Sequence, residues 1–374
     1  MKTKRLLRLS VLLLLILSLS SCGLFRHVAE ELPYTELGIP SAADHEKGTR
    51  AICTWDLYLL DGMLYIGAGD YDKNAGPIRV WAYDTETDAF VDTGTVPDEE
   101  VAKFLLLGDS LVIPGTDPKD DWSHGNYYVL ENGTWTVCSQ VEGGIHMFDM
   151  AEYEGALFAG LGVLPGSYPI VRSDDGGKSF APVSMKKDGH LIDTGAYEAV
   201  RVYDFFVCNG VLYALLVYGT DTIFFDIYRY DGEAFSYLCD WTSAISILRT
   251  SGKLVNGKAS LTDKTFFTTG VLYATEDMVT YSRIQPPHAT VVYDLLTDGK
   301  QLYTLSAEKA EEGYRISVSS TKTGDADDFR EEFYFYYSVP PLSFAKDGDT
   351  FYFGMGSMSE ENNKNGMILR VEAR

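Results

Sequence analysis

His146 and Asp149 are the pair of side chains in this sequence best spaced for acid–base work. They stand three residues apart in Gly-Gly-Ile-His-Met-Phe-Asp, and His146 belongs to a segment with no close copy elsewhere in the chain. These two are the candidate catalytic residues. Two polar stretches add hydrogen-bonding groups: Asp70, Asp72 and Asn74 in the first, and Asp120, Asp121, Trp122, His124 and Asn126 in the second. Asp and Asn can bind hydroxyls and Trp122 offers an apolar face to a sugar ring, so these eight are the candidate ligand-binding residues. Closely placed carboxylates also make calcium a candidate, and no other cofactor is indicated. Against a functional role, Asp and Asn are ordinary turn formers in exposed loops.

Such residues act together only if the fold brings them together, and the chain carries a repeat that could. Aromatic-Asp pairs at Trp55-Asp56, Phe148-Asp149, Tyr203-Asp204 and Tyr293-Asp294 each precede a Leu-aromatic dipeptide by the same eight residues. Weaker copies place Lys103, Lys258 and Ser343 at the Asp position. The seven anchors at 56, 103, 149, 204, 258, 294 and 343 are 36 to 55 residues apart, the length of a four-stranded propeller blade. In the first unit DLYLL, MLYIG, IRVWAYD and AFVDTGTV read as successive strands with turns at Asp61-Gly62 and Asp84–Thr87. The last unit supplies three strands, and PYTELGIP (33–40) resembles the segment that ends the first unit, so the N-terminal segment is expected to complete the last blade. Because the fifth unit matches least well, six blades is the alternative.

Strand direction places the start of first strands and the second-to-third loops on one face. The long polar loops of units seven, one, two and three are therefore expected to converge over one sector. An Asp repeated at strand starts most simply hydrogen-bonds a neighbouring blade, whereas His146 occurs once.

The first 21 residues differ from the rest. Lys2, Lys4, Arg5 and Arg8 precede the apolar run VLLLLIL, too short to span a bilayer, and Leu19-Ser20-Ser21-Cys22 follows. This string resembles the lipobox of bacterial lipoproteins, which implies cleavage before Cys22, lipidation of that cysteine, and a place outside the cytoplasm at a bacterial membrane. Residues 22–33 read as a tether and 34–374 as the folded domain. Cleavage would move the net charge from −23 to −27, because the removed segment holds four cations and no acids. Such a surface is unsuited to nucleic acid and should be repelled by anionic lipid, leaving the lipid as the anchor. Cys53, Cys138, Cys208 and Cys239 fit no zinc spacing; free thiols are expected, with a disulfide as the alternative.

Ser173-Asp174-Asp175-Gly176-Gly177-Lys178-Ser179-Phe180 resembles the Asp-box of sialidase-fold propellers, with Ser173, Asp175, Gly177 and Phe180 at the structural positions and a fainter copy at Thr275-Glu276-Asp277. The motif marks a fold and not a chemistry. A sialidase's Arg-Ile-Pro is missing, and only a dozen arginines follow Cys22, so its catalytic residues are not carried over. No phosphate loop or nucleotide fingerprint occurs. The sequence thus predicts an all-β, monomeric, membrane-anchored propeller that binds an extracellular glycan or protein partner. The alternative is a glycan-cleaving hydrolase or lyase using His146 and carboxylates of the loop face.

Overall fold

Paired left-handed residues set the turns. Asp61 and Gly62, with φ of 49° and 77°, join Asp56–Leu60 to Met63–Gly67. Glu154-Gly155 and Asn209-Gly210 do the same for two later strand pairs. Two successive positive φ values match the right-handed twist of flanking strands, so each turn fixes a tight hairpin. Gly supplies the second at no steric cost.

These hairpins extend into antiparallel meanders. A computed structural model describes residues 29–40, 50–120, 123–163, 166–248, 253–358 and 361–373; Cys22, Asp121 and Trp122 lie outside the described residues. The described residues form six hydrogen-bonded sheets in a β-propeller arrangement and no α-helix. Five sheets are separate blades. They comprise Asp56–Leu60 to Ala89–Val96, Leu105–Leu107 to Thr134–Glu142, Gly257–Leu261 to Ser282–Ile284, Val291–Thr297 to Arg330–Tyr337, and Pro341–Asp347 to Ile368–Glu372. The weakest repeat, around Lys258, is therefore a regular four-stranded sheet. The sixth sheet has ten strands, because Ala156–Val163 of one meander pairs with Ala199–Cys208 of the next.

Distant segments add edge strands. Tyr34–Gly38 pairs antiparallel with Ile368–Glu372, Glu30–Glu31 runs parallel to Arg330–Tyr337, and Ser184–Lys187 runs parallel to Ala234–Asp240. The core lies between adjacent meanders. Phe158, Phe205 and Phe235 fill one such layer with Tyr228 and Tyr230, while Trp135 packs edge-on against Tyr65 in another. Each large ring buried in this way contributes about 1.5–3 kcal/mol. No disulfide joins the four cysteines of the described residues; Cys138 and Cys239 occupy fourth strands in their respective meanders.

Carboxylates hold the turns between third and fourth strands. Asp175 accepts from the Lys178 and Ser179 amides at 3.0 and 2.9 Å and from the Ser179 hydroxyl at 2.6 Å, while Ser173 Oγ accepts the Gly177 amide. Asp277 repeats the pattern on Val279 and Thr280, and Asp84 on Glu86 and Thr87. Phe180 packs edge-on against Tyr127 of the preceding sheet.

Candidate functional site

The aromatic-Asp repeat marks a break in strand pairing. The ladder shifts register between Met147 and Asp149, Val202 and Asp204, Val292 and Asp294, and Pro341 and Ser343, skipping Phe148, Tyr203, Tyr293 and Leu342. A bulge re-aims the side chains on either side of it. The Asp then reaches the next first strand: Asp56 accepts the Phe104 amide at 2.7 Å, Asp149 that of Phe205 at 2.8 Å, and Asp294 that of Phe344 at 3.2 Å. Ser343 Oγ donates to Thr54 O at 3.1 Å, linking the last first strand to the first sheet.

The lysine anchors meet the aspartates near the axis. Lys103 Nζ lies 3.4 Å from Asp149 and 3.0 Å from Asp204; Lys258 Nζ bonds Asp149 and Phe205 O and lies 3.6 Å from Asp204. Asp149 is 0% exposed. Burial raises its pKa, but the two ammonium groups and the Phe205 amide more than offset that, so the carboxyl stays below its ordinary range. Lys253 Nζ lies 3.5 Å from Asp56.

Next to this charged plug a cavity of about 180 Å³ opens, lined by Tyr71, Glu100, Asp117, His146, Arg201 and Tyr203 among others. Its wall follows the repeat. Glu100, His146 and Arg201 each stand three residues before an anchor, at 103, 149 and 204; Phe148 and Tyr203 stand one before. His146 and Phe148 stand two apart on one strand and Arg201 and Tyr203 two apart on another, spacings that share a face, while Glu100 reaches the same mouth from the segment before Leu105–Leu107.

His146 Nδ1 lies 2.6 Å from the Thr116 carbonyl, which can only accept, so Nδ1 carries the proton and Nε2 is the ring's acceptor. Burial, aided by the Arg201 charge and opposed by the Thr116 bond, holds its pKa down to about 4. The imidazole is therefore neutral above that pH, and its 3.7 Å approach to Asp117 Oδ1 is not an ion pair there. His146 stacks on Phe148 with ring centroids 5.4 Å apart, and Phe148 lies 4.6 Å from Tyr203. Arg201 Nη1 donates to the Tyr203 hydroxyl at 3.2 Å.

Two cavity acids are tuned toward neutrality. Burial pushes Asp117 up to about 6 against the pull of Arg201, and Glu100 up to about 7 against that of Arg50. Arg50 stands 3.6 Å from Glu100 but also 3.5 Å from Asp70 and 2.5 Å from Asp72. One guanidinium shared by three carboxyls does not hold Glu100 ionised. With the Glu100 side chain 2% exposed, burial outweighs the guanidinium.

The sequence candidates are dispersed. His146 lines the cavity, while Asp149 contributes to the plug beside it. Asp70 caps the short turn Tyr71–Lys73, accepting the Asp72 amide, and Asn74 closes it with φ 49°. Asp70 and Asp72 thus hold Tyr71 and Arg50 at the rim. Asp120 is exposed, His124 Nδ1 contacts Ser123 Oγ at 2.8 Å, and Asn126 is buried, accepting from Ser139 Oγ at 2.5 Å. None of these three lines the cavity, which draws on the first four repeat units and the Lys253-Leu254 segment, with nothing from the last. Among the described residues no three His, Cys, Asp or Glu groups are placed to hold a metal. Arg201, Glu100 and Tyr203 were missed as site residues, although Arg201 and Glu100 occupy the same repeat position as His146.

No protein-family model matches the chain, and no curated protein matches it. Among solved structures, it is similar to Saccharomyces cerevisiae Sqt1, at 11% identity and TM-score 0.45 over 93% of this chain and 100% of that one. The polysaccharide lyase Uly1 is similar at 10% identity and TM-score 0.47 over 94% of each chain. BamB from Moraxella catarrhalis follows at 12% identity and TM-score 0.40, covering 85% of this chain and 83% of that one.

Proposed function

We propose that this chain is a bacterial lipoprotein, lipidated at Cys22 and held outside the cytoplasm, whose propeller binds an extracellular glycan in the cavity beside His146. In this reading the propeller has seven blades and is closed by Tyr34–Gly38. The pairing of that strand with Ile368–Glu372 and the Ser343-to-Thr54 bond support the closure. The carboxylate-held turns at Asp175 and Asp277 support the Asp-box resemblance.

One observation carries the glycan assignment. The aromatic side chains of Tyr71, Phe148 and Tyr203 line the same cavity as the acceptor-bearing His146 and the donor Arg201. Sugars present apolar ring faces edged by hydroxyls, and such a wall answers both. A concave hollow of about 180 Å³ suits a small saccharide better than the broad contact area of a protein partner. A glycan array probed with the full chain, with Tyr203→Ala and His146→Ala for comparison, tests it. Binding that both variants lose supports the assignment, and binding that neither variant alters removes the ligand from this cavity. Transfer of radiolabelled fatty acid to the chain, but not to a Cys22→Ala variant, tests the anchor.

A second reading is glycan cleavage. It is favoured by the Asp117 carboxyl, raised to about 6 and 3.7 Å from His146, within the range useful for proton transfer. New reducing ends or unsaturated products from a bound glycan, absent with Asp117→Asn, would establish it.

A further inference from the structure

A second hollow adjoins the first. It measures about 210 Å³ and shares Tyr71, Arg201, Tyr203, Lys253 and Leu254 with the 180 Å³ cavity. Its remaining lining differs in residue type: Ala199, Val217, Tyr218, Ile223 and Phe225 carry no charge, and Ile223 is 47% exposed at its edge. Either hollow alone falls short of the ~300–1,000 Å³ usual for a ligand site, and the two together reach it. Arg201 and Tyr203 border both.

Arg201 also differs from the other cations of this mouth. Arg50, Lys103, Lys253 and Lys258 each lie within 4.0 Å of at least one carboxylate. Among the described residues Arg201 has no carboxylate within that distance, and its hydrogen bond goes to the Tyr203 hydroxyl. In a chain with 54 acids and 31 bases, an exposed guanidinium with no carboxylate partner among the described residues is set to receive one from a ligand. The acids beside it do not cancel it at mildly acid pH, since burial keeps Asp117 and Glu100 protonated up to about 6 and 7.

We propose that the two hollows are adjoining subsites for one acidic oligosaccharide of at least two residues. A uronate carboxylate would meet Arg201 at their junction, and the neighbouring sugar would lie over Tyr218, Ile223 and Phe225. This rests on the glycan reading and narrows it to a charge and a minimum length. The planar guanidinium fork matches a carboxylate with two parallel bonds, so the carboxylate sets the register of the chain.

Calorimetric titration of the detergent-solubilised full chain at pH 6 tests the proposal. The probes are trimers and monomers of galacturonate, mannuronate and glucuronate-containing glycans, each beside its carboxyl-reduced counterpart. The expected result is that at least one acidic trimer binds, that reduction weakens it roughly 10- to 100-fold, and that Arg201→Gln matches that loss. Arg201→Lys should recover part of it. Ile223→Ala should reduce the advantage of trimer over monomer without altering monomer affinity. Because Arg201 and Ile223 are exposed, unchanged urea midpoints are expected for these variants. Equal binding of acidic and reduced trimers, or indifference to Arg201→Gln, overturns the acidic assignment and leaves the glycan reading intact. Equal binding of monomer and trimer overturns the two-subsite arrangement. Failure of every acidic and reduced probe removes the glycan reading itself.

Discussion

Lys103 Nζ lies 3.0 Å from the Asp204 carboxylate, joining first strands whose anchors are 101 residues apart in sequence. With Lys258 and Asp149 it completes a two-by-two arrangement of opposite charges in which each lysine faces both acids. Removing one lysine leaves two buried carboxylates facing a single ammonium. Lys103→Met is expected to lower stability by about 3–5 kcal/mol, read from the urea midpoint. Adding Asp204→Asn should return part of that loss, since the pair is then removed together. Strict additivity of the two substitutions would show that these groups do not interact.

Stability should fall as pH rises through neutrality. Burial raises Asp98 and Glu100 to about 7 and Asp294 to about 8, with Asp117 facing Asp98, Arg50, Asp70 and Lys253 facing Glu100, and Lys253 and Asp56 facing Asp294. In the unfolded chain these carboxyls ionise near ~4. Their contribution is therefore fully present below about pH 4 and is lost as pH rises toward the folded values, by about 1.4 kcal/mol per unit for each group within its window. His146 has the opposite sign: its folded pKa of about 4 lies below the unfolded value of ~6.5, so its contribution is present above 6.5 and lost on acidification. Above 6.5 it no longer offsets the acids. The urea midpoint should drop between pH 6.5 and 7.5, and Glu100→Gln should flatten that drop; a midpoint that rises across the interval would contradict the assignment.

The repeat was legible because its marker has a mechanical job. An Asp that must bond an amide of the next meander, preceded by an aromatic, leaves a fixed eight-residue interval to the Leu-aromatic pair of the second strand. Where Lys or Ser takes the Asp position the interval survives and the residue type does not, which is why Lys103, Lys258 and Ser343 read faintly. Parallel additions such as Ser184–Lys187 on Ala234–Asp240 leave no signal, since no turn joins the partners. The cavity was half legible. Polarity singled out loop residues, many of which serve the loops themselves, as Asp70 and Asn74 do for Tyr71–Lys73. Arg201 and Glu100 were hidden by looking for sites in loops, when the same repeat position that holds His146 places them on the mouth.

Gly162 makes room for the site's rings. A β-carbon there would come within 2.8 Å of both His146 Cδ2 and Phe148 Cε2, closer than carbon atoms pack. Gly162→Ala is expected to cost about 1–3 kcal/mol in stability and to displace the His146 ring, weakening any ligand of the cavity. Combining it with His146→Ala frees part of the space, so the double variant should recover stability but not binding. If Gly162→Ala alone keeps both the urea midpoint and ligand affinity, the close fit of this wall is disproved.

The strand Tyr34–Gly38 should control association. It covers the outer edge of Ile368–Glu372, and Glu36 is further tied by Lys364 at 2.6 Å and by the Tyr337 hydroxyl at 2.9 Å, so its carboxyl sits below the ordinary range, chiefly through the Lys364 bond. Without it Ile368–Glu372 presents unpaired amides and carbonyls, a template for another chain. A chain beginning at Pro40 is therefore expected to unfold at lower urea and to form dimers or larger species in light scattering, whereas the intact chain stays monomeric. A synthetic peptide of residues 33–40 added to the shortened chain should restore the monomer by refilling the edge, as strand addition does elsewhere. If the shortened chain remains monomeric with an unchanged midpoint, the strand is a passive tether and the last sheet is stable with three strands.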